Sequence, residues 1–74
     1  MTAKEQFEEL GYKQKTQDNV IYYFKEINVP KKYGHIYFYH INFILNDKEL
    51  YTNHNLQYKE LQAINKQISE LGWK

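Results

Sequence analysis

The stretch His35-Ile36-Tyr37-Phe38-Tyr39-His40-Ile41-Asn42-Phe43-Ile44-Leu45 alternates between two sets of side chains. One set is Tyr37, Tyr39, Ile41, Phe43 and Leu45; the other is Ile36, Phe38, His40, Asn42 and Ile44. Alternate residues of a strand point to opposite faces of its sheet, and β-branched and aromatic side chains suit a pleated surface. A long strand over 35–45 is therefore predicted. The first set is uninterrupted and is assigned to the core, although a β-bulge near His40 would exchange the faces partway along. Whichever set turns inward, the opposite face keeps several large apolar side chains.

The same period of two extends outward on both sides. Val20–Ile27 reads as a strand, with Val20, Tyr22 and Phe24 on one face and Ile21, Tyr23, Lys25 and Ile27 on the other. Asn28 to Gly34, punctuated by Pro30 and Gly34, reads as the loop between the two strands. Asn46-Asp47-Lys48 is a tight turn leading to a short strand, Glu49–Thr52. Tyr12–Thr16 is a candidate edge strand, since Gln17-Asp18-Asn19 has turn composition. Connections this short require antiparallel pairing.

Helices flank the strands. Thr2 and Glu5 have the spacing of a capping box, Ala3, Phe7 and Leu10 share one helical face, and Gly11 supplies a stop. Near the other end Leu61, Ile64, Ile68 and Leu71 form an apolar stripe between polar neighbours, and Gly72 stops that helix. Its start is expected at 55–57, with Asn55 as N-cap, or at Gln57 with Glu60 in the third position and Leu56 stapled against Leu61. At each stop a hydrophobic contact should span the glycine, Phe7 with Tyr12 and Ile68 with Trp73. The segments Gln6–Lys13 and Gln67–Lys74 agree at five of eight positions. The residues between them show no repeat, which favours shared stop chemistry over internal duplication. The predicted fold is α+β: a three- or four-stranded antiparallel β-meander with an N-terminal and a C-terminal helix packed on one face (αβββα), one domain over 1–74.

Composition narrows the function classes. At 74 residues without a cysteine, packing must supply what disulfides and thiolate-bound metals supply elsewhere, and eight Tyr, four Phe and one Trp are suited to that. All ten basic residues are Lys, against nine acids. The absence of Arg and a net charge of +1 disfavour recognition of a nucleic-acid backbone. No apolar run approaches membrane-spanning length and no signal-peptide pattern is visible, so a cytoplasmic location is expected.

Chemistry-bearing constellations are sparse. His35 and His40 are five apart on one strand and fall on opposite faces, which argues against a shared metal; His54 lies in the loop before the last helix and could approach either. Ser69 is the only serine and has no histidine near it in sequence. No nucleophile-elbow, metalloprotease or phosphate-loop motif is present. The expectation is a non-enzymatic protein with no cofactor, no metal and no evident small-molecule substrate.

The residues Glu60-Leu61-Gln62-Ala63-Ile64-Asn65-Lys66-Gln67-Ile68-Ser69-Glu70-Leu71-Gly72-Trp73 resemble the C-terminus of small uncharacterised proteins of phages and prophages of low-GC Gram-positive bacteria. The likeness in organisation extends over most of the chain, through the first helix ending in Glu-Leu-Gly-Tyr and the strands. It implies a cytoplasmic, prophage-encoded protein and supplies no activity. Two readings follow. The first is an interaction module that binds a protein partner, or itself, through the open sheet face, at Ile36, Phe38, His40, Asn42 and Ile44. The second is a nucleic-acid-associated accessory protein that uses sheet aromatics and lysines such as Lys13, Lys15, Lys25, Lys31 and Lys32.

Overall fold

The computed structural model describes residues 1–27 and 37–73. The chain runs α1 (Ala3–Glu9), β1 (Lys13–Gln17), β2 (Val20–Ile27), β3 (Tyr37–Ile44), β4 (Glu49–Thr52) and α2 (Tyr58–Leu71). The strands form one antiparallel sheet in the order β1-β2-β3-β4, so the predicted meander has four strands and the candidate edge strand is real. The expected loop over 28–34, with Lys31 and Lys32, and the residues His35 and Ile36 lie outside the described residues.

Two turns at one end of the sheet are stitched together. Asp18, in the β1–β2 turn, has φ 51°, and Lys48, in the β3–β4 turn, has φ 53°. The Asn19 backbone carbonyl accepts from the Leu45 N–H at 2.8 Å, and the Asn19 side-chain oxygen accepts from the Asn46 N–H at 2.8 Å.

Both helices begin and end on local chemistry. The Thr2 N–H donates to Glu5 Oε1 at 2.8 Å and the Glu5 N–H donates to Thr2 Oγ1 at 3.1 Å, which closes the predicted capping box. At the start of α2 the Gln57 N–H donates to Glu60 Oε1 at 2.9 Å, in agreement with the second of the two expected starts. The stops are twins. Tyr12 N–H reaches the Phe7 carbonyl and Gly11 N–H the Glu8 carbonyl, while Trp73 and Gly72 repeat this pair of bonds on Ile68 and Ser69. Gly11 (φ 94°) and Gly72 (φ 73°) hold the left-handed backbone this motif needs. The predicted contact across the first stop is present, with the Phe7 and Tyr12 rings edge-to-face at 5.7 Å.

The sheet's inner face is the expected one. β2 and β3 pair without a bulge from Val20↔Ile44 to Ile27↔Tyr37, so faces are not exchanged along β3. Ile41 and Phe43 are buried with Tyr23, and they join Phe7, Tyr12, Ala63 and Ile64 in one core. Phe7 stacks on Tyr23, ring centroids 3.9 Å apart, and meets Phe43 edge-on. Since every helix residue in this core meets the same sheet face, both helices cover one side. The Ala3 N–H ties them together through Glu70 Oε2 at 2.9 Å.

One expectation is corrected. Of the predicted α2 stripe Ile64 is buried and Ile68 and Leu71 pack against the core, but Leu61 is 43% exposed, while Glu60 and Gln67 are buried beside Ala63 and Ile64. The cause is hydrogen bonding. Tyr12 and Tyr23 bring phenol groups under α2, and Glu60 and Gln67 accept from them. A buried hydroxyl without a partner costs more than an exposed leucine.

Candidate functional site

With both helices on one side, nothing among the described residues covers the other face of the sheet. Strand register places its residues in cross-strand rows. Gln17, Val20, Ile44 and Glu49 form the first; Lys15, Tyr22, Asn42 and Tyr51 the second; Lys13, Phe24 and His40 the third; Glu26 and Phe38 the fourth. Phe24 and Phe38 meet edge-to-face at 6.3 Å, and Phe38 lies 6.3 Å from the His40 ring. Tyr51 is 53% exposed; Val20, Tyr22, Phe24, Phe38, His40 and Ile44 are each half-buried. The result is a continuous aromatic and aliphatic surface, with Lys13 and Lys15 along the β1 edge and Glu49 on the β4 edge. Asn42 sits in its middle, and its Oδ1 is buried without a hydrogen-bond partner.

Of the residues predicted for this surface, Phe38, His40, Asn42 and Ile44 are on it, and Ile36 lies outside the described residues. Val20, Tyr22, Phe24 and Tyr51 complete the surface. Their membership follows from the pairing between strands, which a single strand's alternation does not contain. Lys25, counted in sequence among the lysines of a basic edge, points to the opposite face. Its Nζ donates to the Leu10 carbonyl at 3.1 Å and lies 4.9 Å from the centre of the Tyr12 ring.

The helix side encloses a second polar constellation, around His54. Tyr12 donates a short hydrogen bond to Glu60 Oε2, and His54 Nε2 lies 3.1 Å from the Tyr12 hydroxyl and 3.2 Å from Glu60 Oε2. The other ring nitrogen, Nδ1, is 3.2 Å from Asn53 Oδ1. Asn53 Oδ1 also accepts from the His40 N–H at 2.8 Å, and its Nδ2 donates to the Phe38 carbonyl at 3.0 Å. That side chain thus continues the β3 ladder where β4 departs. Burial pushes the Glu60 carboxyl up, but hydrogen bonds from Tyr12, from the Gln57 backbone and from His54 outweigh it and hold the group below the usual carboxylate range. Burial, and then the adjacent Glu60 carboxylate, drive the Tyr12 phenol well above its ordinary value.

This trio has the residue types of a proton relay, but no open edge. The His54 and Glu60 side chains are 5% and 7% exposed, and their polar atoms are already partnered within the chain. Its work is to fasten the segment before α2 to β1 and β3. Among the described residues, no group of three or more His, Asp or Glu is placed to hold a metal ion. A wide groove of about 910 Å³ between α1 and α2 is lined by Gln6, Glu9, Lys59, Gln62 and Lys66. Among the described residues no helix is long and apolar enough to cross a membrane. No protein-family model, curated protein or solved structure matches the chain.

Proposed function

We propose that this chain is a small non-enzymatic interaction module of the cytoplasm, acting through the open face of its sheet on a protein partner or on a second copy of itself. One observation carries the reading: both helices lie on one side, and the other side, which no described residue covers, gathers Tyr22, Phe24, Phe38, Ile44 and Tyr51 around Asn42 and His40. Surfaces of this kind on small proteins mark contact sites. A role as a prophage accessory protein rests on the sequence resemblance alone.

Nucleic-acid binding is the second reading, and Lys13 and Lys15 beside Phe24 and Tyr22 favour it, since bases stack on sheet aromatics flanked by cations. Glu26 and Glu49 on the same face oppose it by repelling phosphate. The test is a photo-crosslinking residue at Tyr51, on the open face, compared with one at Tyr58, which is 73% exposed on the helix layer. Cells producing the two variants should give a discrete protein adduct from position 51 and none from 58. Nuclease-sensitive adducts would favour the second reading, and equal labelling from both positions would remove the first.

A further inference from the structure

Resting on that reading, we infer that the occupant of the open face is a second copy of this chain, docked sheet to sheet about a two-fold axis parallel to the strands. The argument is one of charge and register. The face is largely apolar in its middle, with Asn42 and His40 as its polar members; it is positive along β1 at Lys13 and Lys15 and negative at Glu49 on β4 and at Glu26 at one end of β2. When the strands of two sheets are aligned, identical faces meet about a two-fold axis along the strands or about one across them. An axis across the strands sets β1 on β1 and lysine on lysine. An axis along them exchanges β1 with β4 and β2 with β3, which brings Lys15 over the β4 edge of the second copy, where Tyr51 and Glu49 lie. The same operation sets Phe24 opposite His40 of the second copy and Val20 opposite Ile44 of the second copy. Only this second arrangement brings the β1 lysines to the edge that carries Glu49, and two-fold symmetry makes each contact twice. Aligned packing with strands inclined by about 30° is an ordinary way for two twisted sheets to meet.

The size of the face sets the strength. At strand spacings of about 4.8 Å and rises of about 3.3 Å per residue, the four strands span a flat area of about 400 Å² in each copy. Both copies together bury about 800 Å² before side-chain relief is counted, which is below the roughly 1,200 Å² at which stable specific interfaces begin and in the range of weak, transient ones. A weak dimer is expected, with a Kd on the order of tens of micromolar.

Sedimentation equilibrium of the full chain from about 1 µM to about 1 mM brackets that range. Concentration-dependent dimerisation is expected. Lys15→Glu and Glu49→Lys should each weaken it about tenfold, and the double exchange Lys15→Glu/Glu49→Lys should restore it to within about threefold, because the opposed charges are then swapped rather than matched. Both positions are exposed, and an unchanged far-ultraviolet circular dichroism spectrum shows that the variants fold. A monomer at about 1 mM overturns the second copy as occupant. A dimer that the double exchange fails to restore overturns the two-fold arrangement. Crosslinking from Tyr51 separates these failures from that of the underlying reading. An adduct with a different protein retains the face and discards the second copy, whereas a monomer with no adduct discards both.

Discussion

Tyr39 lies flat on His54, with ring centroids 3.9 Å apart and planes 4° from parallel. The stack joins β3 to the segment that precedes α2, and it closes the polar trio of Tyr12, His54 and Glu60 from one side. With its ring edge held by Asn53, Tyr12 and Glu60 and its face by Tyr39, His54 has its orientation fixed by four neighbours. Such networks stabilise a small fold when every member is satisfied and destabilise it when one is removed.

Acid should attack this trio. The Glu60 carboxyl has a lower proton affinity in the folded chain than its ordinary value of 4.5, so the unfolded chain takes up the proton first. Its stabilising contribution is complete above 4.5 and is lost as pH falls through the lower folded value. Glu60→Gln should cost about 1–3 kcal/mol at neutral pH. In urea titrations the difference from the parent should shrink below pH 4.5; a gap independent of pH would contradict the assignment.

Phe7 is the centre of the aromatic core, fully buried and in contact with the rings of Tyr12, Tyr23 and Phe43. Phe7→Ala should cost about 3–5 kcal/mol. A chain of 74 residues has a total stability of roughly 4–11 kcal/mol, so this variant should lose a large share of it and melt far below the parent by circular dichroism. Phe7→Leu should cost roughly 1–2 kcal/mol and remain folded.

The two helix stops should differ in their tolerance of a side chain. At Gly72 a Cβ would meet nothing within 4 Å, and only the backbone conformation resists it. At Gly11 the φ is wider, 94°, and a Cβ would sit 3.1 Å from Lys25 Cδ. Gly72→Ala should therefore cost about 1 kcal/mol. Gly11→Ala should cost more, by roughly 0.5–1 kcal/mol. Thermal melts of the pair decide the order.

Asn42 brings a polar group into the middle of an apolar face and leaves its oxygen unpaired. Asn42→Val removes an unsatisfied acceptor and adds a β-branched side chain to a strand, so it should stabilise the chain by about 1 kcal/mol. A drop in melting temperature would show that the carboxamide has a partner in solution.

The strands were legible because their alternation is strong. Val20–Ile27 and Glu49–Thr52 agree residue for residue with the expectation, and the outward residues Phe38, His40, Asn42 and Ile44 follow from one strand read alone. Val20, Tyr22, Phe24 and Tyr51 do not, because their neighbours depend on register across connections whose geometry composition leaves open. On α2 the lesson is different. Glu60-Ala63-Ile64-Gln67 is as regular a helical stripe as Leu61-Ile64-Ile68-Leu71, and hydropathy alone selects the second. The structure buries the first because Tyr12 and Tyr23 need acceptors at positions two turns apart. Buried tyrosines had to be matched with polar helix residues before that face could be chosen.

The order of the sheet also bears on how the chain assembles. Each strand pairs only with its sequence neighbours, so hairpins can zip one after another with short loop closures. The packing of α1 on α2 is different, since it joins the two extremes of the chain. At seven residues α1 is too short to hold its own turns in water. It is therefore expected to condense last, onto a scaffold made by α2 and the strands. Lesions in α1 should speed unravelling far more than they delay assembly.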